Sequence, residues 1–220
     1  MTIRWSYFLF RELSLDCYHG LKKGTGNNQE YEKAKVCSFC RTQPSLTQKG
    51  IFMITVKCDV FNISQESYDD LINSIGIYRF ICPNCGHADM VIHGYYRRKV
   101  KTVKGILKLR IMRVKCKSCG KSHAILLSFI VPYSSILLPI HVRILFKGDD
   151  SKLMEEYDCI DESNIAYIRR MYSRHWKQRL TSENIRLGAD LIDRCFESFH
   201  RQFMQIRCTI NRLFSYIHTA

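Results

Sequence analysis

Proline and glycine are scarce in this sequence, with 4 and 11 residues among 220. Their scarcity excludes collagen-like repeats and long flexible linkers. Hydrophobic residues make up 46% and charged residues 25%, which is the composition of a folded chain and not of a disordered one. The length gives room for one ordinary domain or two small ones.

Acidic residues are absent from the stretch between Met90 and Gly148. The same stretch contains thirteen lysine and arginine residues, close to the net charge of +14 for the whole chain. A block of one charge sign with strand-like alternation favours a polyanionic partner. Nucleic acid is the first expectation, and an anionic membrane surface is the second.

A secretory signal is also missing, because the apolar run from Trp5 to Phe10 is short and Glu12 follows it. We therefore expect a cytoplasmic, reducing location. In that setting the 11 cysteines serve metal binding or the hydrophobic core rather than disulfides.

One segment, Ser122 to Val142, carries no formal charge and is long enough to cross a bilayer. Pro132 and Pro139 interrupt it, and the residues after Pro132 are typical of a turn. We expect two short core segments joined by a turn, and no membrane partner.

The periodicity predicts an α+β chain. Three parts are expected in chain order: a small β zinc ribbon, a helix-turn-helix-like helical part and a long amphipathic C-terminal helix, at residues 51–135, 136–180 and 181–220. Residues 1–50 form an N-terminal extension, and whether it folds stays open. Met53 is an alternative start, in which case residues 1–52 would be a leader that does not fold.

The pattern within the first part predicts a strand over Ile51–Phe61 and a helix from a cap at Asn62 or Ser64 to about Asn73. A turn at Lys104-Gly105 then joins two strands of a hairpin. Its second strand alternates apolar and basic residues with a period of two, so one face of the hairpin is expected to be basic.

Two Cys-x-x-Cys-Gly pairs flank this hairpin and give the strongest chemical signal. A tight turn lets both thiolates of a pair reach one ion, and the following glycine supplies the positive φ that the turn needs. Four thiolates select zinc over hard cations and leave no open coordination position. The sequence therefore predicts a structural zinc on Cys82, Cys85, Cys116 and Cys119.

Two histidines, His87 and His123, lie near these pairs and are alternatives for one sulfur; His123 is expected to pack beside the site or to contact phosphate. A third pair, Cys37 and Cys40, lacks the following glycine. Its missing ligands are expected from Cys17, His19, Cys58 or another chain, and a second metal there stays open.

The second part is predicted to hold helices over Ile140–Phe146, Lys152–Tyr157 and Asn164–Leu180. This layout is typical of a helix-turn-helix, but an ordinary amphipathic helix with solvated charges fits the third helix as well. In the third part, apolar residues from Ile185 to Ile217 repeat with a four-three spacing, which predicts one long helix that packs on the chain or forms a homo-oligomer.

The cysteine pairs, together with His93, Tyr95 and the Pro132-Tyr133 dipeptide, resemble the zinc-binding head of bacterial insertion-sequence transposases. The chain is more closely similar, over residues 53–214, to small Firmicute zinc-ribbon proteins of unknown function. The resemblance implies that the head and a following helix-turn-helix bind DNA, as transposases bind their terminal repeats. The matching residues are Cys82, Cys85, His93, Gly94, Tyr95, Tyr96, Arg98, Arg113, Cys116, Cys119, His123, Ala124, Pro132 and Tyr133; the segment 199–208 resembles the tail of these proteins.

We therefore expect a zinc-dependent DNA-binding protein without a catalytic domain, and not an enzyme. The acids Glu183, Asp190, Asp193 and Glu197 are predicted to form a solvated helix face. Alternatives are a zinc-scaffolded protein or RNA adaptor, and an accessory subunit that acts in trans with a separate transposase. The expected DNA contacts are Arg97, Arg98, Lys99, Lys108, Arg110 and Arg113 on the hairpin and Arg169, Arg170 and Arg174 on the third helix.

Overall fold

The computed structural model describes residues 52–58, 63–146, 149–207 and 211–215. The predicted N-terminal extension, the Cys37/Cys40 pair and Cys208 lie outside these residues. Met53, the alternative start, is the second residue of the first described strand.

A five-stranded sheet forms the centre of the described part of the chain, in the order β2-β3-β4-β1-β5. Strands β2, β3 and β4 are antiparallel neighbours, whereas β1 is parallel to both β4 and β5. The strands are β1 (Phe52–Lys57), β2 (Met90–Thr102), β3 (Gly105–Cys116), β4 (Ser122–Leu127) and β5 (Asn211–Ser215).

Short helices pack around this sheet, and three of the six described α-helices begin at a side-chain cap. The hydroxyl of Ser64 accepts the Ser67 amide proton at 3.0 Å, and the carboxylate of Asp161 accepts that of Asn164 at 2.8 Å. The helices are α1 (Gln65–Ile75), α2 (Leu138–Phe146), α3 (Asp150–Glu156), α4 (Glu162–Met171), α5 (Lys177–Ser182) and α6 (Leu191–Phe199). A π-helical turn, Tyr172–Trp176, joins α4 to α5.

These elements confirm the first helix with its Ser64 cap, the hairpin and the first two helices of the second part. The predicted first strand is present but shorter, at Phe52–Lys57, and the predicted third helix is divided by the π-helical turn. The uncharged segment divides into β4 and α2 around a turn in which Tyr133 takes a positive φ of 63°. Within the described ranges, every helix is too short or too polar to cross a membrane.

Tyr68 links α1 to β3 and β4. The Tyr68 ring is fully buried, its hydroxyl donates to the Ile125 carbonyl at 2.9 Å, and it accepts the Met112 amide proton at 3.1 Å. This one side chain therefore ties α1 to both strands. Burial raises the pKa of the Tyr68 hydroxyl, so in the folded protein this hydroxyl is neutral and can donate its proton in a hydrogen bond.

The long C-terminal helix was a wrong prediction. The chain leaves the helical path at His200, whose φ is 51°, and Met204 is again left-handed at 64°. Phe203 is buried, so the four-three spacing reflects core contacts rather than a continuous helix. The residues from Asn211 instead form β5, which pairs with β1. This pairing supplies hydrogen-bond partners to backbone N–H and C=O groups at the edge of β1.

Candidate metal centre and basic hairpin face

The two Cys-x-x-Cys segments form matching backbone turns. The Gly86 amide donates to the Cys82 carbonyl and the Gly120 amide to the Cys116 carbonyl, both at 2.9 Å. The two glycines take φ values of 79° and 70°, in the left-handed region that other residues rarely adopt. Each turn therefore presents its two thiols in the same direction.

The hairpin brings these turns together, because Met90 pairs with Cys116 at the base of the β2–β3 ladder. The Sγ atoms of Cys82 and Cys119 are 3.6 Å apart, as are those of Cys85 and Cys116. All four sulfurs lie within 4.8 Å of one another. A tetrahedral zinc with Zn–S bonds of 2.3 Å places its sulfurs about 3.8 Å apart, so the cluster fits such an ion.

The cluster is half inside the protein. Cys82 and Cys116 are buried, whereas Cys85 and Cys119 are partly exposed, and all four are free thiols. Four thiolates form the soft donor set that tetrahedral d¹⁰ cations prefer. The described residues thus contain a four-cysteine site that can hold a metal ion.

Burial raises the pKa of the Cys82 thiol to about 12. The His87 amide lowers the pKa of Cys85, but burial and sulfur neighbours outweigh it and the net shift is upward. Burial also opposes ionisation of Cys119, yet the Lys121 amide and neighbouring side chains lower its pKa to about 7. The backbone amides, and not the lysine charges, are thus the groups that favour thiolate here.

The imidazole of His123 lies beside the cluster. Its Nε2 lies 3.3 Å from the Sγ of Cys82, and its side chain is buried on β4. An N–H at this atom donates to the thiolate and holds the sulfur in place. His87 takes part through its backbone: its carbonyl accepts the Cys82 amide proton at 2.8 Å, and its amide favours the thiolate of Cys85.

The predicted basic residues of the hairpin divide between its two faces. Residues opposite each other in the ladder share a face, and Arg97 faces Arg110 while Lys99 faces Lys108. These four cations form one patch, which we call the basic hairpin face. Arg98 and Arg113 lie on the other side, since they alternate with the first set along their strands.

The two charge pairs have the closest spacing that a sheet allows. Both backbone groups of Arg110 bond to the Gln65 side chain, at 2.6 and 3.2 Å, and therefore point away from β2. Arg97 and Arg110 are thus a non-hydrogen-bonded pair, and so are Lys99 and Lys108 two residues on. Such pairs have Cα atoms about 4.5 Å apart, and like charges there oppose folding.

Some of the hairpin cations already have partners. Arg98 donates to the carbonyls of Val131 and Ser134, so it joins β2 to the following turn. Arg110 lies 3.4 Å from the Asp69 carboxylate and 4.8 Å from the centre of the Tyr95 ring. Sequence reasoning gave Tyr95 no role of its own, although its place in the alternation of β2 puts it on the basic hairpin face.

The three arginines of α4 and its continuation also differ. Arg169 makes two 2.7 Å hydrogen bonds to the Asp150 carboxylate, which join α4 to α3. Arg170 lies over the Tyr167 ring at 5.8 Å, and Arg174 is exposed on the π-helical turn. The tip of the hairpin meets this region, since Lys101 donates to the Asn164 side chain at 2.8 Å.

The acids of the C-terminal part do not form one solvated face. Glu183, Asp190 and Glu197 are exposed, but Asp193 pairs with Lys57 at 2.7 Å and so joins α6 to β1.

A family model described as Domain of unknown function (DUF6431) matches residues 82–156. The match begins at the first metal-site cysteine and includes both turns, the hairpin, β4, α2 and α3. No curated protein and no solved structure matches the chain.

Proposed function

We propose that this chain is a zinc-dependent DNA-binding protein, with a structural zinc ribbon at the four cysteines and a basic surface beside it. The observation that carries the proposal is the set of two like-charge pairs on the basic hairpin face. Such an arrangement costs stability in the free protein and is repaid when a polyanion binds.

Zinc is the cation that the site chemistry favours. The sulfur spacing fits a tetrahedral ion, and a closed shell of four thiolates leaves no water to activate. The metal therefore has a structural role in this proposal. It fixes the base of the hairpin, and the hairpin presents the cations.

The charge of the hairpin supports a polyanionic partner. The hairpin between Met90 and Cys116 contains no acidic residue. Within the described residues, Arg97, Lys99 and Lys108 have no ion-pair partner, so their charges are available to phosphates. The resemblance to the DNA-recognition part of transposases points the same way.

The exposed side of α4 is the second element of this proposal. Arg170 and Arg174 are the candidates for base contacts in a major groove, whereas Arg169 is held by Asp150. The contact between Lys101 and Asn164 holds the hairpin tip against the start of α4. One duplex could therefore meet both elements.

The test begins with selection of bound sequences from random duplex DNA by the zinc-loaded protein. The selected duplex is then titrated at several salt concentrations with the wild type, Lys108→Ala and Lys115→Ala. Both lysines are exposed on β3 but lie on opposite faces. We expect Lys108→Ala to lower the salt slope by about one unit, and Lys115→Ala to leave it unchanged.

Loss of an α4 contact has a different signature. If Arg170 or Arg174 reads a base edge, its change to alanine costs about 1–3 kcal/mol at the selected site and relaxes the preference there. Heparin that competes as well as every duplex, with equal losses from any cation removed, would refute sequence recognition. A partner protein bound without salt dependence would instead favour an adaptor.

A further inference from the structure

We propose that the basic hairpin face binds single-stranded DNA, with Tyr95 as the ring on which a base stacks. This inference rests on the proposed function and adds a second form of nucleic acid, besides the duplex, that this surface takes. The observations behind it are the position of the ring, its exposure and the cations beside it.

Tyr95 is presented to solvent although it is a large ring in a long strand. Its exposed fraction is 41%, and the Arg110 guanidinium lies over the ring at 4.8 Å from its centre. The guanidinium covers part of the ring, and the exposed remainder of the side chain is open to a planar ligand. A base that stacks there adds to a contact between a cation and an aromatic ring.

The cations follow the ring in a row along the same face. Side chains two residues apart on a strand are about 6.8 Å apart, so Tyr95, Arg97 and Lys99 are evenly spaced along β2. Lys108 and Arg110 repeat the charges on β3. A ring at one end of a cationic row is the arrangement that single-strand binders use, with phosphates on the cations and bases on the aromatic group.

The end of the hairpin adds apolar surface to this row. Ile106 shares the basic hairpin face, because it is opposite Lys101, and its exposed fraction is 58%. Apolar groups are thus exposed at both ends of the cations. Bases inside a duplex keep their faces stacked on one another and offer none to such groups, whereas a single strand offers every base face.

The chain supplies a matched control for the ring. Tyr167 on α4 has the same exposed fraction, 41%, and also lies beneath an arginine, Arg170. It is outside the hairpin. A general effect of removing an exposed, arginine-stacked tyrosine would therefore appear equally at Tyr167.

The experiment measures binding of the zinc-loaded full chain to a labelled single strand of mixed sequence and to the duplex chosen by selection. We expect Tyr95→Ala to weaken single-strand binding about 5- to 150-fold, and Tyr95→Phe and Tyr167→Ala to leave it near the wild-type value. Duplex binding is expected to change less than about threefold, because its bases do not reach the ring. Lys99→Ala is expected to reduce the single-strand salt slope by about 0.7.

A strand that carries 2-aminopurine reports stacking directly, since its fluorescence falls when the base stacks. We expect quenching with the wild type and with Tyr95→Phe, and none with Tyr95→Ala. Should Tyr95→Ala fail to fold, Tyr95→Leu keeps the apolar bulk without the aromatic face and takes its place.

Equal losses from Tyr95→Ala and Tyr167→Ala would overturn the inference, and so would single-strand binding that does not depend on either ring. Tighter binding of an RNA of the same sequence would overturn the assignment to DNA. If the duplex binds and the single strand does not, only this inference fails. If neither binds, the proposed function fails as well.

Discussion

The contact between Cys82 and His123 shows how single residues shape the candidate metal site. The thiol is buried, the imidazole nitrogen lies 3.3 Å away, and backbone amides fix the turn.

Removal of one ligand is therefore expected to abolish metal binding. We predict about one tightly bound zinc per chain in the wild type, and none in Cys82→Ser or Cys116→Ser, because three remaining thiols leave an open coordination position. Elemental analysis of the purified chains measures this. Cys159→Ser is the control, since this cysteine lies away from the cluster and donates to the Thr102 carbonyl.

A wild-type chain without zinc would contradict the assignment. A value near two would instead place a second ion at the Cys37/Cys40 pair.

Zinc affinity is expected to rise with pH. Burial raises the pKa of Cys82 to about 12 and the pKa of Cys85 is also raised, so both thiols carry protons at pH 7 and zinc must displace them. For each proton that zinc displaces, the zinc affinity falls about tenfold when the pH is lowered by one unit. Displacement of two protons makes this fall about a hundredfold per pH unit. Competition with a chromophoric chelator from pH 8 to pH 6 measures it, and a flat profile would show that the thiols are ionised without metal.

The residues of the metal site could be predicted from sequence because their spacing is local. Each pair is closed by one turn, and the hairpin between them has its own periodicity. The roles of Arg98 and Arg169 could not be predicted from sequence, because their partners are distant along the chain. Arg98 donates to the carbonyls of Val131 and Ser134, and Arg169 donates to the Asp150 carboxylate. An arginine in a basic block looks the same whether it is free or bound to a carbonyl.

At the scale of elements, the C-terminal part shows the limit of periodicity. Phe196, Phe199 and Phe203 have helical spacing, yet only the first two belong to α6. Phe203 is buried against Trp176, with ring centres 5.3 Å apart, after the chain has turned at His200. No glycine or proline marks that turn, and the open edge of β1, which draws the next residues into a strand, is not visible in the local sequence.

The two phenylalanines next to Trp176 are expected to differ in their effect on stability. Phe203→Ala should lower the free energy of unfolding by about 3–5 kcal/mol, since this ring is fully buried. Phe199→Ala should cost less, because that ring is partly exposed. Urea titration measures both values, and mass in solution is the control.

Since both rings pack within the chain, we expect neither variant to change the oligomeric mass. Equal stability of the wild type and both variants would contradict the burial of these rings, and a change of mass in Phe199→Ala alone would show that this ring serves association between chains.

The described part of the molecule combines a hairpin that begins and ends at the four cysteines and a helical part that packs through aromatic rings. The cysteines close the base of the hairpin, whereas α4, the π-helical turn and α6 pack through Trp176 and its aromatic neighbours without any contribution from the metal site. We expect chelation to melt the hairpin first and to remove DNA binding before helicity is lost. Hydrogen exchange of β2 and β3 amides, followed with and without chelator, measures this; simultaneous loss of protection in α4 would show one cooperative unit.

The order of the strands in the sheet determines how long β1 stays without its neighbour β5 during synthesis. Strand β1 is among the first described residues to leave the ribosome, but its neighbour β5 is among the last, and the bond from Thr55 to Asn211 closes a separation of 156 residues. At usual translation rates the nascent β1 waits roughly 10–30 s for that partner, with a row of backbone groups open to other chains. Chains released early, before residue 211, would keep this edge open permanently, so premature termination is expected to yield aggregates and not shorter folded proteins.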